Sequence, residues 1–227
     1  MSLAQPADLA PVKKALMKEE RKLAVRRFAR NRLAVYGLCI VAFLLILAVL
    51  APVIAPEGPY AMDVSGRLSA PSSAHLLGTD TFGRDLLARV VYGAAISLEI
   101  GASVAALSFI FGMIIGLYAS YYRFWDNILM RICDGVSAIP AILLAIAFMA
   151  VLGPSPRNVI LSLSMVYIPT VARIVRSRAL AVKELTYIEA LRCLGASSNR
   201  IIWGHMAPNV LSPVIVQTSF IFAKAII

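Results

Sequence analysis

The sequence has 227 residues, of which 60% are hydrophobic and only 15% are charged, whereas soluble domains are about a quarter charged. Its apolar runs are long enough to approach or cross a hydrocarbon layer of about 30 Å, which excludes a single large soluble core. Seventeen of the 22 Lys and Arg residues lie in residues 1–33, 121–134 and 173–209. This placement favours the inner side of a membrane, rather than nucleic-acid binding, as the reason for the net charge of +10.

The first third of the chain is predicted to contain one span. Residues 1–33 carry nine Lys or Arg against three acids, and we interpret them as a basic cytosolic tail whose last turns lie on anionic headgroups. Residues 34–55 have no charge and are predicted to form the first transmembrane helix. Residues 56–94 are rich in Pro, Gly and Ser and are predicted to form an extracytoplasmic loop and a surface helix.

A cluster of charges precedes the second span. Thr79 or Asp80 is predicted to cap a helix that runs along the membrane surface into that span. Asp80, Arg84 and Asp85 could also suggest a metal or acid–base site. We favour a solvated, self-paired helix start.

The second span is predicted at residues 95–120. Gly112 and Gly116 are spaced as small residues that let another helix approach closely, which we interpret as packing. Glu99 is the one acid in this span, and a carboxylate is costly in lipid. Two interpretations stay open: the side chain reaches the nearby interface, or it lies on a translocation path.

The next spans are predicted at residues 134–152 and 158–175, after a short inner loop at 121–134. Pro140 should bend the first of them, either for packing or beside a translocation path. The residues from 210 to 227 begin a fifth span. Lys224 lies inside it, where a charged side chain is costly in lipid.

Residues 183–209, which we call the elbow, are predicted to fold as two short helices joined at Gly195. Only glycine enters the left-handed conformation that ends a helix without steric cost. Ser197 or Ser198 is predicted to cap the second helix, and Pro208 to end it. Four residues of the first helix recur at helical spacing and should share one face: Tyr187, Ala190, Leu191 and Leu194. The pattern alone fits a returning loop as well as a docking surface.

Two motifs resemble one known family. Glu189-Ala190-Leu191, Gly195 and Met206-Ala207-Pro208 resemble the EAA motif of ABC-importer permeases, with Leu191 in place of an alanine and Met206-Ala207 in place of Ile-Leu. The segment 77–85 resembles the LGTDxxGRD signature of the peptide and nickel branch, the C-type subunit. The family has a sixth span, so the resemblance predicts an incomplete bundle here.

The resemblance implies a permease for dipeptides or oligopeptides in the bacterial inner membrane, with its N-terminus inside. Nickel complexes and glutathione are alternative substrates within the same branch. The implied partners are a sister permease, two cytosolic ATPases, an extracytoplasmic binding protein and the peptide. The ATPases would dock on the elbow at Tyr187, Glu189, Ala190, Leu191, Leu194 and Gly195.

Other classes of function find less support in the residues. The sequence has no P-loop, HExxH or Gly-x-Ser-x-Gly motif, so we expect no catalytic, cofactor or metal site, and ATP hydrolysis must come from separate subunits. Cys39, Cys133 and Cys193 have no paired spacing. A self-contained secondary transporter would need inverted repeats and midplane polar groups, and Glu99 and Lys224 are too few for that.

Overall fold

Helices form the secondary structure of this protein. The computed structural model describes residues 19, 22, 23, 26 and 28–227, apart from the side chain of Ala141. Most of the predicted basic tail lies outside these residues. The described part contains no β-strand, and its helices in chain order are α1 (Arg32–Ile54), α2 (Leu86–Tyr121), α3 (Arg123–Ser137), α4 (Ala141–Leu152), α5 (Pro156–Lys183), α6 (Thr186–Cys193), α7 (Ser198–Ile201), a π-helix (Ile202–Met206) and α8 (Ala207–Ile226).

Four helical segments in the described part are long and apolar enough to cross a membrane. They are α1, α2, α5 and the continuous segment from α7 through α8. The pair α3 and α4 makes a fifth when it is counted as one bent span. The predicted all-α polytopic membrane protein with about five spans is therefore confirmed.

The chain divides into two compact units, residues 1–95 and 96–227. In the first unit, α1 matches the span predicted at 34–55. Asn31 caps it, because its side-chain oxygen accepts a hydrogen bond of 3.3 Å from the amide of Ala34. Ala51 is the one buried residue of this helix, and the other sides are apolar, as expected of a helix that faces lipid or other proteins.

In the second unit, α5 is the central helix, and it packs against α3, α4 and α8. Gly112 and Gly116 of α2 let it approach α5 closely. A Cβ atom placed on Gly116 would lie 2.5 Å from Val175 and from the carbonyl oxygen of Ala172. The close helix packing predicted for these two glycines is confirmed.

The core of the second unit is formed by α2, α5, α8 and the elbow. Because lipid removes most of the hydrophobic driving force between helices, such packing depends on close van der Waals contact. Its buried residues are Val104, Met113, Leu117, Val171, Val175, Ala179, Ile188, Ile201, Ile202, Met206, Ala207, Val210, Val214 and Ile221.

The predicted inner loop at 121–134 is wrong, because this segment is helix α3. The axes of α3 and α4 differ by 87° at a break over residues 138–140. Pro140 stands at the N-cap of α4, with φ −55° and ψ 131°. The predicted bend at Pro140 is thus a full break, since proline lacks the amide that a continuous helix needs.

The predicted helix end at Pro208 is also wrong. The amide of Ala207 donates to the carbonyl of Ile202, five residues back, where an α-helix would use the residue four back. This wider turn accommodates the proline ring, and helix continues from Ser198 to Ile226. The fifth span therefore begins earlier than the predicted residue 210. Likewise, α2 begins at Leu86 and contains the span predicted at 95–120.

Candidate docking surface on the elbow

The turn between α6 and α7 is built around Gly195. Its φ angle is +75°, in the left-handed region. The amide of Gly195 donates to the carbonyl of Arg192 at 2.9 Å, and the amide of Ala196 to that of Leu191 at 3.0 Å. These two bonds form a Schellman motif, which satisfies carbonyls that the helix end would leave unpaired. No heavy atom lies within 4 Å of a Cβ placed on Gly195, so backbone conformation alone selects the glycine.

Buried apolar residues fix the elbow to the bundle. Ile188, Ile201, Ile202 and Met206 are each 0% exposed and belong to the core. Leu191 is half-buried and packs against the same core. Ile188 is not among the residues predicted from the sequence, although its spacing of three from Leu191 was the available signal.

Five of the six predicted docking residues remain exposed. Leu194 is 83% exposed and Tyr187 is 41% exposed. The other three exposed residues are Glu189, Ala190 and Gly195. The predicted common face is therefore split, with Leu191 turned towards the core and the rest available to a partner.

Tyr187 also joins α6 to the helix that follows. Its hydroxyl accepts a hydrogen bond of 3.1 Å from the side-chain amide of Asn209, and its ring centroid lies 6.3 Å from that of His205. Asn209 donates in addition to the carbonyl of His205 at 2.6 Å. These contacts set the angle between the two halves of the elbow.

Lys183 anchors the start of the elbow to the end of α2. Its Nζ donates to the carbonyls of Ser120 and Tyr121, both at 3.0 Å. A cation at a helix C-terminus compensates its partial negative charge. The Tyr121 ring also lies 5.2 Å below the guanidinium of Arg192.

An open polar groove runs beside the exposed residues. Its volume is about 400 Å³, and it is lined by Leu180, Lys183, Glu184, Glu189 and Arg192. Its lining carries charges of both signs. Such a mixture suits a hydrogen-bonded contact with a soluble protein.

An ion pair holds α3 against α5 in the same unit. Arg176 Nη2 donates to Asp126 Oδ2 at 2.6 Å, and its Nε donates to the other carboxylate oxygen. Arg173 donates to the hydroxyl of Ser137 and to the carbonyl of Cys133. From the sequence, these arginines are predicted only to mark the inner side, and their role in packing α3 against α5 is visible only in the structure.

The two predicted path residues lie on different elements. Glu99 is exposed on α2. A Cβ atom on Gly101 would lie 2.8 Å from Ile226 of α8. Residues two apart on a helix point in nearly opposite directions, so Glu99 points away from α8. Pro140 stands at the break between α3 and α4.

The 77–85 signature forms a folded loop in the first unit. The segment 63–69 runs beside it, with hydrogen bonds from Asp63 N to Gly83 O at 3.3 Å and from Thr79 N to Ser69 O at 3.1 Å. Gly83 has φ +75°, and a Cβ atom there would collide with the carbonyl of Asp63. The signature residues are therefore required by the loop's own packing.

Asp80 is the centre of this loop. Its side chain accepts bonds from the amides of Phe82 and Arg84, and from the guanidinium groups of Arg84 and Arg89 at 2.9 and 2.8 Å. Burial raises its pKa, but these hydrogen bonds and the charge of Arg84 outweigh burial and lower the pKa to about 2. The predicted pairing of Asp80 with Arg84 is observed, but the Asp80 side chain is only 11% exposed rather than solvated, and Asp85 contacts His75 outside the predicted cluster.

The predicted helix cap at Thr79 or Asp80 is wrong. Asp85 caps α2, because its Oδ1 accepts from the amides of Leu87 and Ala88 at 2.7 and 3.3 Å. Its other oxygen lies 3.2 Å from Nδ1 of His75. Both groups line a cavity of about 510 Å³ within the first unit.

Comparison with known proteins agrees with this architecture. Residues 108–227 match the family described as the binding-protein-dependent transport system inner membrane component. Residues 21–71 match the N-terminal transmembrane domain of oligopeptide transport permease C.

Individual relatives match most of the chain. A candidate peptide transport system permease of Brucella abortus biovar 1 is 49% identical over 90% of this chain and 69% of its own length. The dipeptide transport system permease of Alkalihalophilus pseudofirmus is 40% identical over 90% and 67%, respectively. The glutathione transport system permease of Pectobacterium atrosepticum is 39% identical over 89% and 68%. The chain therefore belongs to the binding-protein-dependent transport system inner membrane components, the permease subunits of ABC importers.

Proposed function

We propose that this permease couples ATP hydrolysis in two separate cytosolic ATPase subunits to the import of dipeptides or oligopeptides. The observation that carries the proposal is the elbow, where Ile188, Ile201 and Ile202 are fully buried while Leu194 and Glu189 are exposed. A surface fixed to the bundle in this way transmits a push from a docked protein to the spans.

The docking contact uses two kinds of residue. Leu194 and Ala190 offer apolar surface to a cleft in the ATPase, and Tyr187 extends it. Glu189 supplies a charge beside the polar groove, where it pairs with a basic or amide group of the partner. Movement of the ATPases then shifts the elbow, and the spans alternate between inward- and outward-facing states.

Membership of the family supports the remaining partners in the proposal. A sister permease completes the path, and an extracytoplasmic binding protein delivers the substrate. The peptide substrate is supported by the names of the relatives, and glutathione, itself a small peptide, is supported by one of them. Placement in the bacterial inner membrane is supported by the family description and by the bacterial relatives. An N-terminus on the inner side is supported by the distribution of Lys and Arg.

Affinity capture of the chain from native membranes, with mass identification of its partners, tests this function. We expect a second permease and two copies of ATPase. Recovery of the chain alone, stable and monodisperse, would contradict the proposal and favour a self-contained transporter.

Gly195→Val and Gly195→Asn form a matched pair for the elbow. Valine is strongly disfavoured at φ +75°, whereas asparagine tolerates the left-handed region, and neither meets a neighbouring atom at Cβ. We expect Gly195→Val to lower ATPase capture at least tenfold while membrane insertion is retained. Gly195→Asn should capture within about twofold of the parent. Equal capture of the ATPase by both variants would mean that docking does not depend on the left-handed turn at Gly195.

A further inference from the structure

An apolar groove lies on the second unit between α2 and the continuous helical segment from α7 through α8. Its volume is about 350 Å³. It is lined by Phe109, Ile110, Met113, Ile114, Trp203, Ala207, Pro208 and Leu211. All eight side chains are apolar or aromatic, and the groove is open along the side of two helices that are long enough to span a membrane. The volume and lining suit a hydrocarbon chain.

One end of the groove is polar. Ile110, Ile114 and Tyr118 follow one another at a spacing of four along α2, so Tyr118 continues the wall of the groove by one turn. Its hydroxyl donates to the side-chain oxygen of Asn199 at 3.4 Å. Arg200, exposed and next to Asn199, stands about one turn before Trp203.

This polar end lies at the elbow, on the side of the membrane that the proposed function places inside. Trp203 is 42% exposed there. Tryptophan is enriched at the membrane interface, where its ring lies between hydrocarbon and headgroups. A guanidinium is suited to a phosphate diester, because its planar fork of donors matches the phosphate oxygens.

We propose that the groove binds an anionic phospholipid of the inner leaflet. One acyl chain lies along Ile110, Ile114 and Leu211, and the headgroup phosphate pairs with Arg200 beside Tyr118 and Asn199. Charge complementarity selects an anionic lipid over a zwitterionic one, and the basic inner side of the molecule reinforces the selection. The inner-leaflet assignment rests on the orientation in the proposed function.

The lipid would contact α2, the π-helix and α8 at once. These are the elements through which the second half of the elbow joins the bundle. A lipid held there therefore contributes to the stiffness of that joint, and the lipid composition of the membrane becomes a factor in coupling.

Trp203 allows a direct test, because the chain contains two tryptophans, Trp125 and Trp203. Trp125→Phe leaves Trp203 as the reporter. This variant is reconstituted into phosphatidylcholine vesicles with increasing fractions of brominated phosphatidylglycerol or brominated phosphatidylcholine, whose bromines quench indole fluorescence on contact. We expect half-maximal quenching at about fivefold lower mole fraction for phosphatidylglycerol, the factor that one guanidinium near an anionic lipid provides.

Two charge variants make the test specific to the groove. Arg200→Gln should remove the preference for phosphatidylglycerol, whereas Arg178→Gln, which removes the same charge from an exposed site on α5, should keep it. Equal quenching by both lipids in the parent would overturn the proposal, as would equal effects of the two variants. Absence of quenching by either lipid would also overturn it, because protein would then cover Trp203. Failure of the proposed function would appear separately, as missing ATPases in the affinity capture.

Discussion

Single backbone positions decide the shape of the 77–85 loop. Gly83 combines a left-handed φ of +75° with contact against the carbonyl of Asp63, so neither the conformation nor the space admits a side chain. Gly58, in the same unit, has φ +79° but no heavy atom within 4 Å of its Cβ position. A side chain at Gly58 would therefore carry only the conformational cost of a positive φ, whereas a side chain at Gly83 would carry that cost and a steric one.

We predict that Gly83→Ala destabilises the loop by about 3 kcal/mol, since left-handed strain and a backbone collision add. Gly58→Ala should cost only about 1 kcal/mol, from conformation alone. Rates of limited proteolysis within residues 56–85, measured on the protein in detergent, report this local opening. Equal proteolysis rates for the two variants would contradict the steric argument.

The charge of Asp80 makes the same loop sensitive to acid. Its pKa in the folded protein, about 2, lies below the usual value of 3.8. A lowered folded pKa means that the stabilisation is complete above about pH 4 and is lost as the pH falls towards 2. We predict that protection factors for amide hydrogen exchange in residues 77–86 fall over this range.

Asp80→Asn is the control for this prediction. It keeps an oxygen for the amides of Phe82 and Arg84 but loses the charge that pairs with Arg84 and Arg89. Its loop should be less protected at pH 6 and should lose less protection between pH 4 and 2. A parent loop whose protection is the same at pH 5 and pH 2.5 would rule out Asp80 as the titrating group.

Among the elements, α3 is the helix that the pattern of apolar residues did not predict. Its two acids, Asp126 and Asp134, pair with Arg176 and Arg173 of α5. The apolar side chains of Phe124, Trp125 and Ile132 are exposed. This arrangement is typical of an amphipathic helix that lies at a membrane interface. The 87° break at Pro140 lets α3 leave the direction of α4.

We predict a measurable coupling between Asp126 and Arg176. We use a double-mutant cycle with Asp126→Asn and Arg176→Gln. The loss of stability in the double variant should be smaller than the sum of the two single losses by roughly 1–2 kcal/mol, because the bidentate pair is only partly exposed. Thermal unfolding in detergent measures each variant. Arg178→Gln combined with Asp126→Asn should be additive, since Arg178 points elsewhere on α5. Additivity in both cycles would mean that the pair contributes no net stability.

At the scale of the whole molecule, the alternation of the spans predicted from the sequence puts the elbow inside and the 77–85 loop outside in the proposed orientation. Native Cys193 is exposed in the elbow, and Ser72 is exposed a few residues before the 77–85 loop, in the segment predicted to be extracytoplasmic. Both positions accept a thiol reagent without disturbing the core.

We predict that a membrane-impermeant maleimide labels Ser72→Cys, and not Cys193, in cells whose outer membrane has been permeabilised. Inverted inner-membrane vesicles should give the reverse result. The background carries Cys39→Ser and Cys133→Ala, with Cys193→Ser added to the Ser72→Cys variant. Labelling of Cys193 from outside would contradict the proposed orientation, while labelling of both sites from one side would contradict the topology.

Much of this protein could be read from local pattern. The spans α1, α2 and α5 follow from runs of apolar residues, because every backbone polar group in hydrocarbon must be satisfied within a helix. The turn at Gly195 follows from the conformational freedom of glycine, and the exposure of Glu189 and Leu194 agrees with the predicted elbow. Family membership was visible in the motifs around Glu189 and Asp80.

The remaining features depended on contacts between residues far apart in sequence. Ile188 rather than Tyr187 faces the core, since the neighbours that cover it come from other helices. Asp85 rather than Asp80 caps α2, because Asp80 is engaged by Arg84 and Arg89. A sequence pattern ranks such candidates equally, and only tertiary contacts choose among them. For the same reason, Pro208 does not end its helix. A π-helical turn before it accommodates the proline ring, and the burial of Ile202 and Met206 stabilises that turn.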